Sequence, residues 1–196
     1  MSILILGLVL FLGIHSLGLL APDWRARTLN QIGEAPWQGL TGMIALIGFV
    51  LICWGYAEAR IHPIPLYAPP VWTRHLSLLL MLPVFPLLFA TYLPGRIQKA
   101  VVHPTLTAVI LWSICHLLSN GNLADLILFG AFLLWSLADR LSLLLTDRIA
   151  TPIQGAPPHP KNDLIAIGAG LALYCLFLFW AHAWLFGVSP LGVTAQ

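Results

Sequence analysis

Five of the chain's seven histidines, His15, His75, His103, His116 and His182, lie within apolar runs or at their ends. An ionisable side chain inside a bilayer costs about 2–3 kcal/mol or more, so each such residue calls for a partner or a task. Neutral imidazole is a common metal ligand, and two imidazoles on facing helices can share one metal. His116 is the hardest to explain otherwise. The stretch LWSICHLLSNGNLAD, residues 111–125, reads as lipid-facing helix, carries its imidazole in the second half, then breaks into Ser119, Asn120, Gly121 and Asn122 before Asp125. Its neighbour Cys115 projects about 100° away around a helix, so the two do not converge on one metal and Cys115 reads as packing.

The remaining histidines have simpler explanations open to them. His62 and His159 are each followed by proline in loop-like segments and read as solvated. His103 precedes Pro104, which suits a helix start as well as a ligand. His75 beside Arg74 fits a solvated interfacial pair, and His182 between Trp180 and Trp184 fits an aromatic belt. His15, like His116, is surrounded by apolar residues. The chain has no H-E-x-x-H, no clustered carboxylates, no G-x-S-x-G and no glycine-rich phosphate loop, which argues against zinc hydrolysis, di-iron chemistry, a serine nucleophile and nucleotide chemistry. Histidine among aromatics is what is left, and it suits haem: imidazoles hold the iron while apolar walls enclose the macrocycle.

The elements that must position these residues are membrane spans. Of 196 residues, 59% are hydrophobic and only 8% charged, against roughly 25% charged in a soluble domain. The formal charge of +2 is scattered between apolar runs, which excludes nucleic acid as a partner. Three isolated cysteines offer no disulfide framework. A span needs about 20 apolar residues, and six runs qualify, at about 1–20, 37–58, 73–93, 101–119, 122–145 and 162–187. The first run lacks the basic start of a secretory signal and has Pro22 after Ala21, so it is read as a span.

The expected fold is therefore an all-α polytopic bundle of six spans forming one domain over residues 1–196. Arg25, Arg27, Arg96, Lys99, Arg140, Arg148 and Lys161 fall on one side, and only Arg60 and Arg74 on the other. The positive-inside rule places both termini outside, which in the inner membrane of a Gram-negative bacterium means the periplasm. Residues 59–72, with four prolines, read as a stiff outer cap anchored by Tyr67 and Trp72, and residues 149–161 as a mobile cytoplasmic loop. Gly39, Gly42, Gly48 and Gly55 in the second span, with Gly168 and Gly170 in the last, allow close helix approach. Pro83 and Pro86 bend the third span.

Three segments carry a resemblance: GLVLFLGIHSLGLLAPDWR from residue 7, PVWTRHLSLLLMLPVF from residue 70, and HPTLTAVILWSICHLLSNGNLADLILFGAFLLWSLADR from residue 103. Through them the chain resembles the NnrU family of bacterial membrane proteins over residues 1 to about 148. That family is similar to the plant and cyanobacterial 15-cis-zeta-carotene isomerase. The resemblance implies haem b held by His15 of the H-S segment and His116 of the W-x-x-x-H segment, with Trp112 beside the cofactor. It also implies an association with nitrite and nitric oxide reduction, or an isomerase-like reaction on a conjugated lipid.

Depth along the spans suggests other pairings. His15 falls near the inner end of the first span and His116 near the outer end of the fourth, about 15 Å apart at 1.5 Å of rise per residue. Axial nitrogens on one iron stand only about 4 Å apart. Depth pairs His116 with His75, or with His182, and His15 with His103. Arg74 would then meet haem propionates, and Asp125, whose charge favours the helix N-terminus at the start of the fifth span, would also orient His116 by accepting its second ring N–H. Partners are thus membrane lipid, haem, and a hydrophobic conjugated substrate or nitric oxide. The main alternative is a non-enzymatic accessory protein that supports denitrification enzymes through helix contacts. A transporter is disfavoured because no repeat is evident.

Overall fold

A computed structural model of the chain describes residues 1–145 and 155–192. Residues 149–154 of the loop expected to be mobile lie outside those described. The helices are α1 (Ser2–His15), α2 (Leu17–Leu20), α3 (Pro22–Ile32), α4 (Glu34–Ala59), α5 (Val71–Met81), α6 (Val84–Tyr92), α7 (Arg96–Val101), α8 (Pro104–Ser119), α9 (Leu123–Leu145), α10 (Asn162–Leu176) and α11 (His182–Phe186). A π-helical turn, Phe177–Ala181, joins the last two. The all-α expectation holds, and among the described residues the chain forms no named strand.

Among the described residues four helical stretches are long and apolar enough to cross a bilayer: Glu34–Ala59, Val71–Tyr92, Leu123–Leu145 and Asn162–Phe186. Many of their large apolar residues lie open, Leu134 and Leu164 at 71% exposure among them. Such surface is stable only against lipid or another apolar partner, so this is a multi-pass membrane protein. The first and fourth apolar runs yield shorter helices, Ser2–His15 and Pro104–Ser119. At the first, Ser16 turns its hydroxyl back onto the Leu12 carbonyl at 2.6 Å, and α1 gives way to the four-residue α2. Such back-bonding by serine bends helices. At the fourth, Val102 adopts φ +65° in a three-residue turn closed by His103 N–H on the Val101 carbonyl, 2.8 Å, and Pro104 then starts the helix. A positive φ is strained for a β-branched residue.

The described residues divide into two compact units, residues 1–68 with 121–145 and residues 69–120 with 155–192. In the first, α1 and α4 pack backbone on backbone. A Cβ placed on Gly7 would meet the Ile52 amide nitrogen at 2.6 Å, one on Gly48 the Phe11 nitrogen at 2.7 Å, and one on Gly55 the backbone of Leu4. Gly48 and Gly55 are therefore required by packing, whereas Gly39 and Gly42 face open space. The proline-rich segment is strapped to the turn before α9: Leu66 and Tyr67 donate their N–H groups to the Gly121 carbonyl at 2.8 and 3.2 Å, and Leu123 donates to Ile64 at 2.8 Å.

In the second unit, Pro83 separates α5 from α6, as the missing donor and ring of proline require. Gly170 of α10 lies against the backbone of Pro86, while Gly168 meets nothing. Val84, Leu87 and Ala108 form the core between α6 and α8. Serine and threonine hydroxyls stitch α5 to α8: Thr73 donates to the Leu118 carbonyl at 2.7 Å and Ser77 to that of Cys115 at 2.9 Å. Asp163, on the first turn of α10, accepts the Arg96 and Ile97 N–H groups at 2.8 and 3.1 Å, so one helix caps another. Ala156 N–H bonds the Tyr92 carbonyl at 2.8 Å, which ties down the start of the described part of the loop.

Candidate functional site

His116 occupies the last turn of α8. Its Nδ1 lies 2.8 Å from the Trp112 carbonyl, four residues back. A carbonyl can only accept, so Nδ1 carries the proton and Nε2 carries the lone pair. The Trp112 indole packs on the imidazole with centroids 5.0 Å apart. The W-x-x-x-H spacing thus does two things on one helical face: its backbone sets the tautomer and its ring walls the imidazole.

Facing His116 is His182. The two rings are 6.5 Å apart between centroids and nearly parallel, at 26°. His182 begins α11 immediately after the π turn, whose extra residue rotates everything beyond it relative to a regular helix. Gly187 ends that helix in the left-handed region, φ +72°, which glycine adopts without strain. The chain then folds back, and the Val188 carbonyl receives the His182 Nδ1 at 2.7 Å. His182 is therefore held in the same tautomer as His116, by a carbonyl six residues ahead instead of four behind. Phe186 meets its ring edge-on at 4.9 Å.

In the first unit, His15 repeats the local device at the end of α1, with Nδ1 2.6 Å from the Phe11 carbonyl. Phe11 packs on it at 4.5 Å and Trp135 stands edge-on at 6.2 Å. Ser16, the second residue of the H-S pair, accepts the Trp135 indole N–H at 3.1 Å and so joins α1 to α9. An apolar groove of about 430 Å³ runs beside it, lined by Ile5, Leu8, Leu12, Gly13 and Ile127.

Asp125 is 2% exposed. Its carboxylate accepts the Tyr56 hydroxyl at 2.6 Å and both the backbone and side-chain N–H of Asn122, at 3.0 and 3.1 Å. The Asn122 backbone contact, three residues back, is half of a capping box, so the N-terminal role read for Asp125 is present in detail. The ring N–H of His116 that was expected to go to Asp125 is the one donated to Trp112. On the strapped loop, partial burial first and the Asp125 charge second hold the Tyr67 phenol above its ordinary range.

His75 and Arg74 are exposed on α5, with the Arg74 guanidinium against Gly192 of the chain's tail. Cys115 is buried, as packing requires, and Ser113 on the same helix is fully buried with no hydrogen-bond partner for its hydroxyl.

The NnrU protein family model matches residues 3–190. The chain belongs to the NnrU family. No curated protein and no solved structure matches it. In this NnrU protein the family match extends past the three motif segments to the π turn, His182 and Val188, which the motif segments, ending at Arg140, leave out.

Proposed function

We propose that this NnrU protein binds haem b in the bacterial inner membrane and acts beside the enzymes that reduce nitrite and nitric oxide. The observation that supports this most is the His116 imidazole, fixed with Nε2 as its basic nitrogen against an indole wall. Among the described residues no three His, Cys, Asp or Glu side chains gather closely enough to hold a bare metal ion. Haem supplies four nitrogens of its own, so one or two imidazoles suffice, and the donor set fits that group. When bound, its iron supplies one-electron transfer or a coordination position for a small ligand such as nitric oxide. His116 would hold the iron, and Trp112 would cover the macrocycle. Ser113, one turn before His116 with an unpartnered hydroxyl, is a donor to spare for a bound group.

On this reading α1 with α2, and α8, complete six crossings, and both termini lie in the periplasm with most basic residues opposite. The test is an absorption spectrum of the protein expressed with ample haem. A Soret band that His116→Ala removes is expected; a folded preparation without one ends this reading. An accessory role without haem draws on Gly39 and Gly42, where an added Cβ meets no atom and a partner helix can approach. Haem-free protein that co-purifies with a reductase subunit, whose level falls when the gene is deleted, favours that role. An isomerase-like reaction would use the apolar groove beside Ser16 for a conjugated chain.

A further inference from the structure

Resting on the haem reading, we infer that His182, not His15, is the second axial ligand, so that the iron is held between α8 and α11 inside one compact unit. Three observations on different elements converge. The His116 and His182 centroids are 6.5 Å apart, and two imidazoles trans on one iron, each bonded at roughly 2 Å, place their centroids on the order of 6 Å apart. The near-parallel planes, 26° apart, are compatible with that arrangement. Both rings have Nδ1 tied to a backbone carbonyl, His116 to Trp112 and His182 to Val188, which makes Nε2 the basic nitrogen on each. Backbone carbonyls commonly fix the tautomer and raise the basicity of metal-bound histidine in this way.

A π turn immediately precedes His182, and a left-handed Gly187 folds the chain back so that the Val188 carbonyl meets the ring. Single-turn π segments are rare and concentrate at functional sites. An aromatic-belt histidine has no need of a fixed tautomer. His15 shares the carbonyl anchor, but the rings packed on it are those of Phe11 and Trp135, neither of which can bind iron.

The experiment takes the full-length, haem-loaded protein in detergent and records optical and EPR spectra of the ferric form. The expected result is a low-spin, six-coordinate signature. In His182→Ala it is lost to a high-spin one and restored by added imidazole; in His15→Ala it is kept. His182→Met, closer in size should the alanine variant fail to fold, keeps six-coordination with a shifted spectrum. A low-spin signal unchanged in either His182 variant overturns the assignment, as does a high-spin wild type. A wild type with no Soret band at all overturns the haem reading and this assignment with it, an outcome distinct from a Soret band with the wrong spin state.

Discussion

The two histidine clusters are built from the same local part and end differently. At the end of α1 and at the end of α8, an imidazole bonds the carbonyl four residues back and leans on an aromatic ring from that position, Phe11 or Trp112. His15 is exposed, and its further ring neighbour is Trp135, whose indole N–H is already given to Ser16. His116 is half-buried, and its further ring neighbour is a second imidazole in the matching tautomer. A four-residue spacing fixes the tautomer of an imidazole. Only tertiary structure brings a second imidazole beside it.

The sharpest way to break this contrast is to remove each imidazole in turn. On the haem proposal, His116→Ala should cost haem retention by about 10-fold or more, since even outer-shell partners of metal ligands are worth about 10–100-fold. His15→Ala should retain nearly all of it, as pyridine haemochrome assay after purification would measure. Greater loss from His15→Ala would reverse the ranking of the two clusters.

A second contrast lies within α4. Gly55→Ala should destabilise the first unit by about 1–3 kcal/mol, the usual cost of overpacking, because the new methyl would overlap the Leu4 backbone. Gly42→Ala, in open space, should be neutral or stabilise by up to about 1 kcal/mol. Denaturation in detergent followed by circular dichroism reads both, and equal effects would mean that the α1–α4 contact is not the tight one.

Asp125→Asn keeps the shape but removes the charge that the Tyr56 hydroxyl and the Asn122 N–H groups meet, and should cost about 1–2 kcal/mol. It should leave the haem spectrum alone. A spectral change would tie Asp125 to the ligand after all. Trp135→Phe deletes only the indole bond to Ser16 and should cost about 0.6–1.7 kcal/mol, the range measured for hydrogen bonds between membrane helices. A larger loss would mean that the indole also packs against something essential.

How far the residues foretell all this varies with the physics involved. Apolar runs announce helices because the backbone in lipid must satisfy itself, and Pro83 announces a break because it lacks a donor. Two of the six runs fall short of span length as continuous helices. The interruption at Ser16 depends on a side-chain hydroxyl choosing Leu12, and that at Val102 on a turn that propensity disfavours. Glycine content announced close packing, but nothing local distinguishes Gly48 and Gly55, which touch α1, from Gly39 and Gly42, which do not. Gly7, their counterpart, went unremarked for the same reason.

The same division runs through the site. His116 stood out as an imidazole in an apolar run, and its contact with Trp112 lies within one helix, four residues apart. His182 read as interfacial from its flanking tryptophans and as a partner for His116 from depth alone, and no residue pattern signals the π turn that precedes its ring. The nearest hint was Gly187 five residues on, a normal helix terminator. Asp125 was legible as a charge at a helix start, while its bond to Tyr56 spans 69 positions and could not be read locally.

The strap between Ile64–Tyr67 and Gly121–Leu123 also bears on biosynthesis. It can close only after residues 69–120 have left the ribosome, so the N-terminal hairpin of α1 and α4 must wait in the membrane for α9. Vectorial synthesis normally lets the first-made part finish first. Here the order is inverted: the earliest helices belong to a unit that cannot be completed until a long insertion has threaded through. During that interval the glycine-lined α1–α4 contact is the packing whose residues have all been made.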